Sequence, residues 1–277
     1  MATYSHTRWW SKWEVMHQLL VQFGDVKQFL MKNSDVGPST RPKLLAFFDD
    51  TQKLKHLKIE LAAVIDWGDP FVKATYKLEG DGPLAFTCYE AIQEVVTSIQ
   101  VGNTPNVEAV ARDLSTSITI QQALKAYAKQ CIQPGVDYFN QQLATNLKGP
   151  LMAFKASRLA NPNMIRKLNP DASSVDLLKS FPFVTAEEIT KLKAELPAYL
   201  AKVEDLDESL DNLQRWKNQE TNLPNWSALV KKILVVQPSS AAVERVFSLL
   251  KASFGDQQEQ SLQDYIEVSV MLRYNFR

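Results

Sequence analysis

Carboxylates serve as acids, bases and metal ligands, so the acidic residues of this 277-residue chain are the first place to look for chemistry. Glu244 stands directly before Arg245 in the run Pro238-Ser239-Ser240-Ala241-Ala242-Val243-Glu244-Arg245-Val246-Phe247-Ser248. Ser239 or Ser240 suits the cap of the helix that follows, accepting a hydrogen bond from a free first-turn N–H. Glu244 lies about one turn in, where the helix dipole favours a carboxylate, and one residue too late for a capping box from Ser240. Arg245 reads as part of an ion pair or hydrogen-bond network that orients the helix. Asp66, on an apolar segment beside Trp67, reads as a helix-surface or capping carboxylate. The acidic run Glu204, Asp205, Asp207, Glu208 and Asp211 reads as a solvated linker. Cys88 and Cys131 stand far apart, and His6, His17 and His56 make no metal-ligand spacing with them, so neither a metal nor a cofactor is expected.

The elements that position these residues read as mostly helical: glycines number 9 and strand-like alternation is scarce. Trp9, Trp13, Met16, Leu19, Leu20 and Phe23 recur at helical steps over 9–29. Gly37-Pro38, Gly80 to Pro83 and Gly102 to Pro105 interrupt the pattern. Further helices are expected over 84–99, 107–114, 121–147, 150–159, 173–179 and 186–200. Pro70 is expected to kink or divide the apolar stretch 54–78, and Asn161-Pro162 with Asn169-Pro170 to bound a loop-rich region. Lys232 to Pro238, a β-branched run ended by proline, reads as one buried strand. After it, Val243, Phe247, Leu250 and Phe254 fall on one stripe, and Leu262, Tyr265, Ile266, Val268, Val270, Met271 and Leu272 surround a second helix. A helix apolar all round wants burial on more than one side, each large side chain contributing roughly 1.5–3 kcal/mol. The surplus is expected to cover the earlier helices, a second copy of the chain, or both.

Net charge is zero, 31 Lys+Arg against 31 Asp+Glu, which gives nucleic-acid binding no support. A DNA-binding role would need a local basic face from residues such as Lys191, Lys193, Lys202, Lys231 and Lys232. The polar start is unlike a signal peptide, and no apolar run has the ~18 residues of a membrane span.

The block Gln237 to Leu250 resembles the C-terminal dimerisation block of hAT transposases, P-x-S-S-x-x-x-E-R-x-F-S. Leu223-Pro224-Asn225-Trp226-Ser227 resembles the family's lead-in, and Gln214-Arg215-Trp216 its Trp-rich element. Thr7-Arg8-Trp9-Trp10-Ser11-Lys12-Trp13 resembles the family's TRW-x-S motif. Ala156-Ser157-Arg158-Leu159 departs from the usual LDPR. The resemblance implies a mainly α chain: a helical insertion-type domain over 1–205, then a small strand–helix–helix remnant of an RNase H-like fold over 206–277, the dimerisation domain. It also implies that the family's two catalytic aspartates precede the TRW motif, hence Met1, with Glu244 in the place of the glutamate. The expectation is therefore a catalytically inactive dimerisation module and not an enzyme. Its partner would be itself, as a C2 homodimer, or another hAT-type protein, through Pro238, Ser239, Ser240, Glu244, Arg245, Phe247, Leu250 and Ile266. Arg8 and Trp9 would be a DNA-binding relic, or else a core tryptophan with a paired arginine. The alternative is a domesticated nuclear DNA-binding regulatory protein. The resemblance implies a nuclear location; without it the cytoplasm is expected.

Overall fold

The computed structural model describes residues 9–33, 37–80, 82–144, 150–204, 212–240, 244, 268 and 271–272, with backbone alone at 9, 10, 143 and 144. Among them the protein is helical and contains no strand. The helices are α1 (Trp9–Val21), α2 (Phe23–Lys32), α3 (Thr40–Asp49), α4 (Thr51–Leu78), α5 (Cys88–Val101), α6 (Pro105–Leu114), α7 (Ile118–Phe139), α8 (Pro150–Ser157), α9 (Pro162–Leu168), α10 (Ala186–Glu204), α11 (Asn212–Asn218) and α12 (Pro224–Leu234). Short 3-10 turns occupy Leu84–Phe86, Arg158–Ala160 and Ser174–Ser180. The mainly α expectation holds. No described helix is long and apolar enough to cross a membrane.

The chain forms two compact units, Met1–Ala74 with Ile92–Leu147, and Thr75–Ala91 with Lys148–Arg277. In the first, Ile59, Ala62 and Ala63 of α4 meet Val107, Val110 and Ala111 of α6 and Ala128 of α7. The alanines allow close approach between helix backbones, and Leu20, Trp67, Leu124 and Ile132 close over the cluster. Gly68 serves a specific contact. A Cβ there would lie 2.6 Å from Cδ1 of Trp13, whose Nε1 donates to the Ile65 carbonyl at 3.1 Å. Pro70 sits inside α4 without dividing it. The expected 9–29 helix is instead two, broken at Gln22.

A carboxylate from a long helix starts a short one in this unit. Asp66 of α4, 9% exposed, accepts from Asn106 N at 3.2 Å, Asn106 Nδ2 at 2.7 Å and Val107 N at 2.9 Å. These are first-turn donors of α6, which has Pro105 at its start and no side-chain cap of its own. The capping reading of Asp66 is thus correct, but the helix it caps lies forty residues away along the chain. Burial raises its carboxyl above the ordinary value, outweighing these hydrogen bonds. Asp66→Ala should cost about 1–3 kcal/mol in urea unfolding at neutral pH, because it strands buried donors. A raised pKa in the folded state means stability that is present below the ordinary carboxylate pKa and lost as pH rises through the folded one. The gap between wild type and Asp66→Ala should therefore shrink as pH rises through that window; a gap that widens contradicts this account.

The second unit builds the same device. Glu195 of α10 accepts from Asn225 N at 3.2 and 3.1 Å, from Trp226 N at 3.2 Å, and from Asn225 Nδ2. It thereby starts α12, again a helix that opens Pro-Asn, at Pro224-Asn225. Helix α10 opens with a capping box. Thr185 N donates to Glu188 Oε2 at 2.8 Å, and Glu188 N donates to Thr185 Oγ1 at 3.2 Å. Lys232, in the last turn of α12, pairs with that Glu188 at 2.6 Å and is the main cause of its lowered pKa.

The strand expected at Lys232 to Pro238 is overturned. Lys232 to Leu234 form the last turn of α12, closed by Val236 N donating to Ile233 O at 2.9 Å. The deciding signal is the period: Trp226, Leu229, Val230 and Ile233 recur at helical steps and all are buried. Three β-branched residues at the end do not outweigh a capped start and an apolar face that runs along an eleven-residue helix. The loop-rich region between Asn161 and Asn169 also proves helical, as α9. Asn161 accepts from Asn163 N at 3.1 Å, Pro162 occupies the first position, and Asn169, with φ 41°, closes the helix left-handed.

Candidate dimerisation surface

The lead-in motifs form the core of the second unit. Trp226 is 0% exposed, and its Nε1 donates to the Leu192 carbonyl at 3.1 Å. Trp216 donates through Nε1 to the Ala160 carbonyl at 2.9 Å. Tyr199 lies against both rings, at centroid distances of 4.9 Å to Trp226 and 5.0 Å to Trp216. Leu178, Phe181, Leu192, Val230 and Ile233 close over them. These tryptophans hold the unit together and are not free to contact another protein.

Tyr199 carries one uncompensated group: its hydroxyl is buried and has no hydrogen-bond partner among the described residues. Burial drives its pKa well above the ordinary value, so it stays neutral. Because a buried hydroxyl without a partner carries its full desolvation cost, Tyr199→Phe should stabilise the chain by about 1 kcal/mol in urea unfolding. A comparable loss would show that the hydroxyl is satisfied.

Beyond α12 the chain turns toward the serine motif. Pro238 and Ser239 are half-buried, and Ser239 Oγ donates at 2.9 Å to the carbonyl of Leu78, the last residue of α4. That carbonyl is one of the four a helix end leaves without an internal partner, so Ser239 pins the entry of the tail to the end of α4. Ser240 is exposed. Its carbonyl accepts Glu244 N at 2.9 Å, the first bond of a helical turn, and its Oγ donates to Glu244 Oε1 at 2.7 Å. The serine side chain thus bonds a carboxylate one turn on; the first-turn N–H groups it would cap lie outside the described residues. Glu244 is itself exposed. Among the described residues no group of three or more His, Cys, Asp or Glu is placed to hold a metal ion.

Val268, Met271 and Leu272 are helical and are 55%, 56% and 52% exposed. Their spacing of three and four residues puts them on one helix face. The sequence reads this helix as apolar all round, with a surplus to be covered by the earlier helices, a second copy, or both; these three side chains are exposed in the single chain. Arg245, Phe247, Leu250 and Ile266 lie outside the described residues, as does Arg8, and Trp9 is placed only as the first residue of α1. The sequence reading missed Glu195, whose capping role has no local signature because its targets lie thirty residues on.

The lysines proposed as a basic face are mostly neutralised. Lys191 pairs with Glu187 at 2.7 Å, Lys193 with Asp176 at 2.8 Å, Lys232 with Glu188, and Lys231 with Glu220. Cys88 is buried, and desolvation, aided by the Glu90 charge, pushes its thiol up to about 11, which keeps it protonated and unreactive.

No curated protein matches the chain. Residues 195–275 match the hAT family C-terminal dimerisation region. That stretch begins at Glu195, the residue that caps α12, and takes in Trp216, Trp226, the serine motif and the exposed Val268, Met271 and Leu272. This chain therefore carries the hAT-family C-terminal dimerisation region and is, in that part, transposase-derived.

Proposed function

We propose that the chain is a homodimerising interaction module whose tail helix contributes the apolar contact. The observation that carries this reading is the exposure of Val268, Met271 and Leu272 on one helix face, within residues that match a dimerisation region. Half-exposed large apolar side chains in a row mark protein contact surfaces. A second copy would bury the same face on both partners in an isologous interface. Phe247, Leu250 and Ile266 lie in the same matched region, and Pro238 to Ser240 lead into it from α12.

The reading includes no catalysis by these residues. Glu244 occupies the family's glutamate position, but its carboxylate is engaged by Ser240 as a helix-start contact. A nuclear location accompanies the family reading. The pairing of Lys191, Lys193, Lys231 and Lys232 with carboxylates speaks for a protein partner over a DNA-binding regulatory role.

Two differently tagged copies of the full chain, co-expressed, test the proposal. Each tag should recover the other copy. A Met271→Asp copy should be recovered far less well, and failure of two wild-type copies to co-purify refutes the reading.

A further inference from the structure

We propose that the cavity where α1, α4, α5 and α6 meet, within the first unit, binds a small organic cation that carries a primary ammonium group. The cavity measures ≈ 570 Å³, a size that suits a small molecule, and Trp13, Trp67, Asp69 and Lys73 are among the residues that line it.

The aromatic wall is fixed by backbone and core contacts. The Trp13 indole donates to the Ile65 carbonyl and lies against Gly68, where any Cβ would displace it. His17 stacks on that indole, with ring centroids 5.5 Å apart. Trp67 is half-buried and packs on the core of the unit. Aromatic faces attract cations, which favours a charged head on an apolar body. Because the walls are already in place, little ordering is left to oppose binding.

Several acceptors at the cavity lack donors. Gly102, with φ 64°, closes α5, its N–H donating to the Ser98 carbonyl at 3.0 Å. The carbonyls of Ile99, Gln100 and Val101 are left without a backbone donor among the described residues, at the negative end of the α5 dipole. Pro70, inside α4, has no N–H to offer the Asp66 carbonyl one turn earlier. The Asp66 carboxylate is engaged by the start of α6, so Asp69 is the carboxylate that receives the ligand. Lys73 Nζ lies 2.6 Å from Asp69 Oδ2, so this wall already accepts an ammonium. The Lys73 side chain is 71% exposed, and a pair so open to solvent holds weakly. An incoming ammonium exchanges with Lys73 at Asp69, while its apolar body displaces water beside Trp13 and Trp67. The inference is independent of self-association, since the site lies within one copy.

Thermal unfolding of the full-length chain with phenethylammonium chloride, against 2-phenylethanol with sodium chloride at matched pH and ionic strength, tests the site. The ammonium should raise the melting temperature, and the neutral alcohol of the same shape should not. Asp69→Asn should raise the half-saturating concentration roughly tenfold, because it removes the charged acceptor. Lys73→Gln should lower it by roughly threefold or more, because it removes the internal competitor. Both side chains are more than a third exposed, so both variants should fold. The two shifts are opposite in sign, and a general loss of stability does not produce both. No ammonium-specific rise, or half-saturating concentrations that fail to move in opposite directions in the two variants, overturns the proposal.

Discussion

Trp226→Ala is expected to destabilise the second unit by about 3–5 kcal/mol, the range for emptying a tryptophan site in a packed core. The indole is fully buried and lies 4.9 Å from the Tyr199 ring. It is also hydrogen-bonded to the Leu192 carbonyl, so the substitution removes packing and a donor together. The neighbours cannot relax into the space cheaply. Tyr199 is held on its other side by Trp216, and Trp216 by the Ala160 carbonyl. Urea unfolding followed by near-ultraviolet circular dichroism reports the change. A loss below about 1.5 kcal/mol would mean that the site collapses readily and that this aromatic cluster is not the unit's main support. Because Trp226 opens the helix from which the tail departs, the variant should also lose self-association, as a consequence of unfolding.

The helical character of the chain was legible because most of its buried residues recur at helical steps, as Trp226, Leu229, Val230 and Ile233 do. The same four residues show what misled the reading of 232–238. β-branched side chains at the end of a segment resemble a strand when the apolar stripe that precedes them is not counted with them. Asn161-Pro162 misled in the opposite direction, because a capping residue followed by proline fits a turn as well as a helix start. What could not be read at all were the long-range caps. Asp66 and Glu195 carry no local pattern, and their importance depends on which backbone donors the fold brings within 2.9–3.2 Å. The dimerisation motif was legible by resemblance, yet its residues divide in two. Trp216 and Trp226 are interior, Ser239 ties the chain to the end of α4, and Val268, Met271 and Leu272 present an apolar surface. Sequence marks all of these as apolar or motif residues, and only tertiary placement separates anchors from contacts.

Replacing Val268, Met271 and Leu272 together with aspartate should abolish self-association while leaving the second unit's core intact. Each is about half exposed, so a partner removes roughly 1 kcal/mol of remaining apolar exposure per side chain. Over three residues on two copies that approaches a weakening of about ten-thousandfold, before the repulsion of facing carboxylates is counted. The direct measurement is the mass of the full-length chain by sedimentation equilibrium at tens of micromolar. The account predicts twice the chain mass of 31.3 kDa for the wild type and a single chain mass for the triple variant. A wild type that sediments as one chain throughout, or a triple variant that keeps the doubled mass, would contradict it.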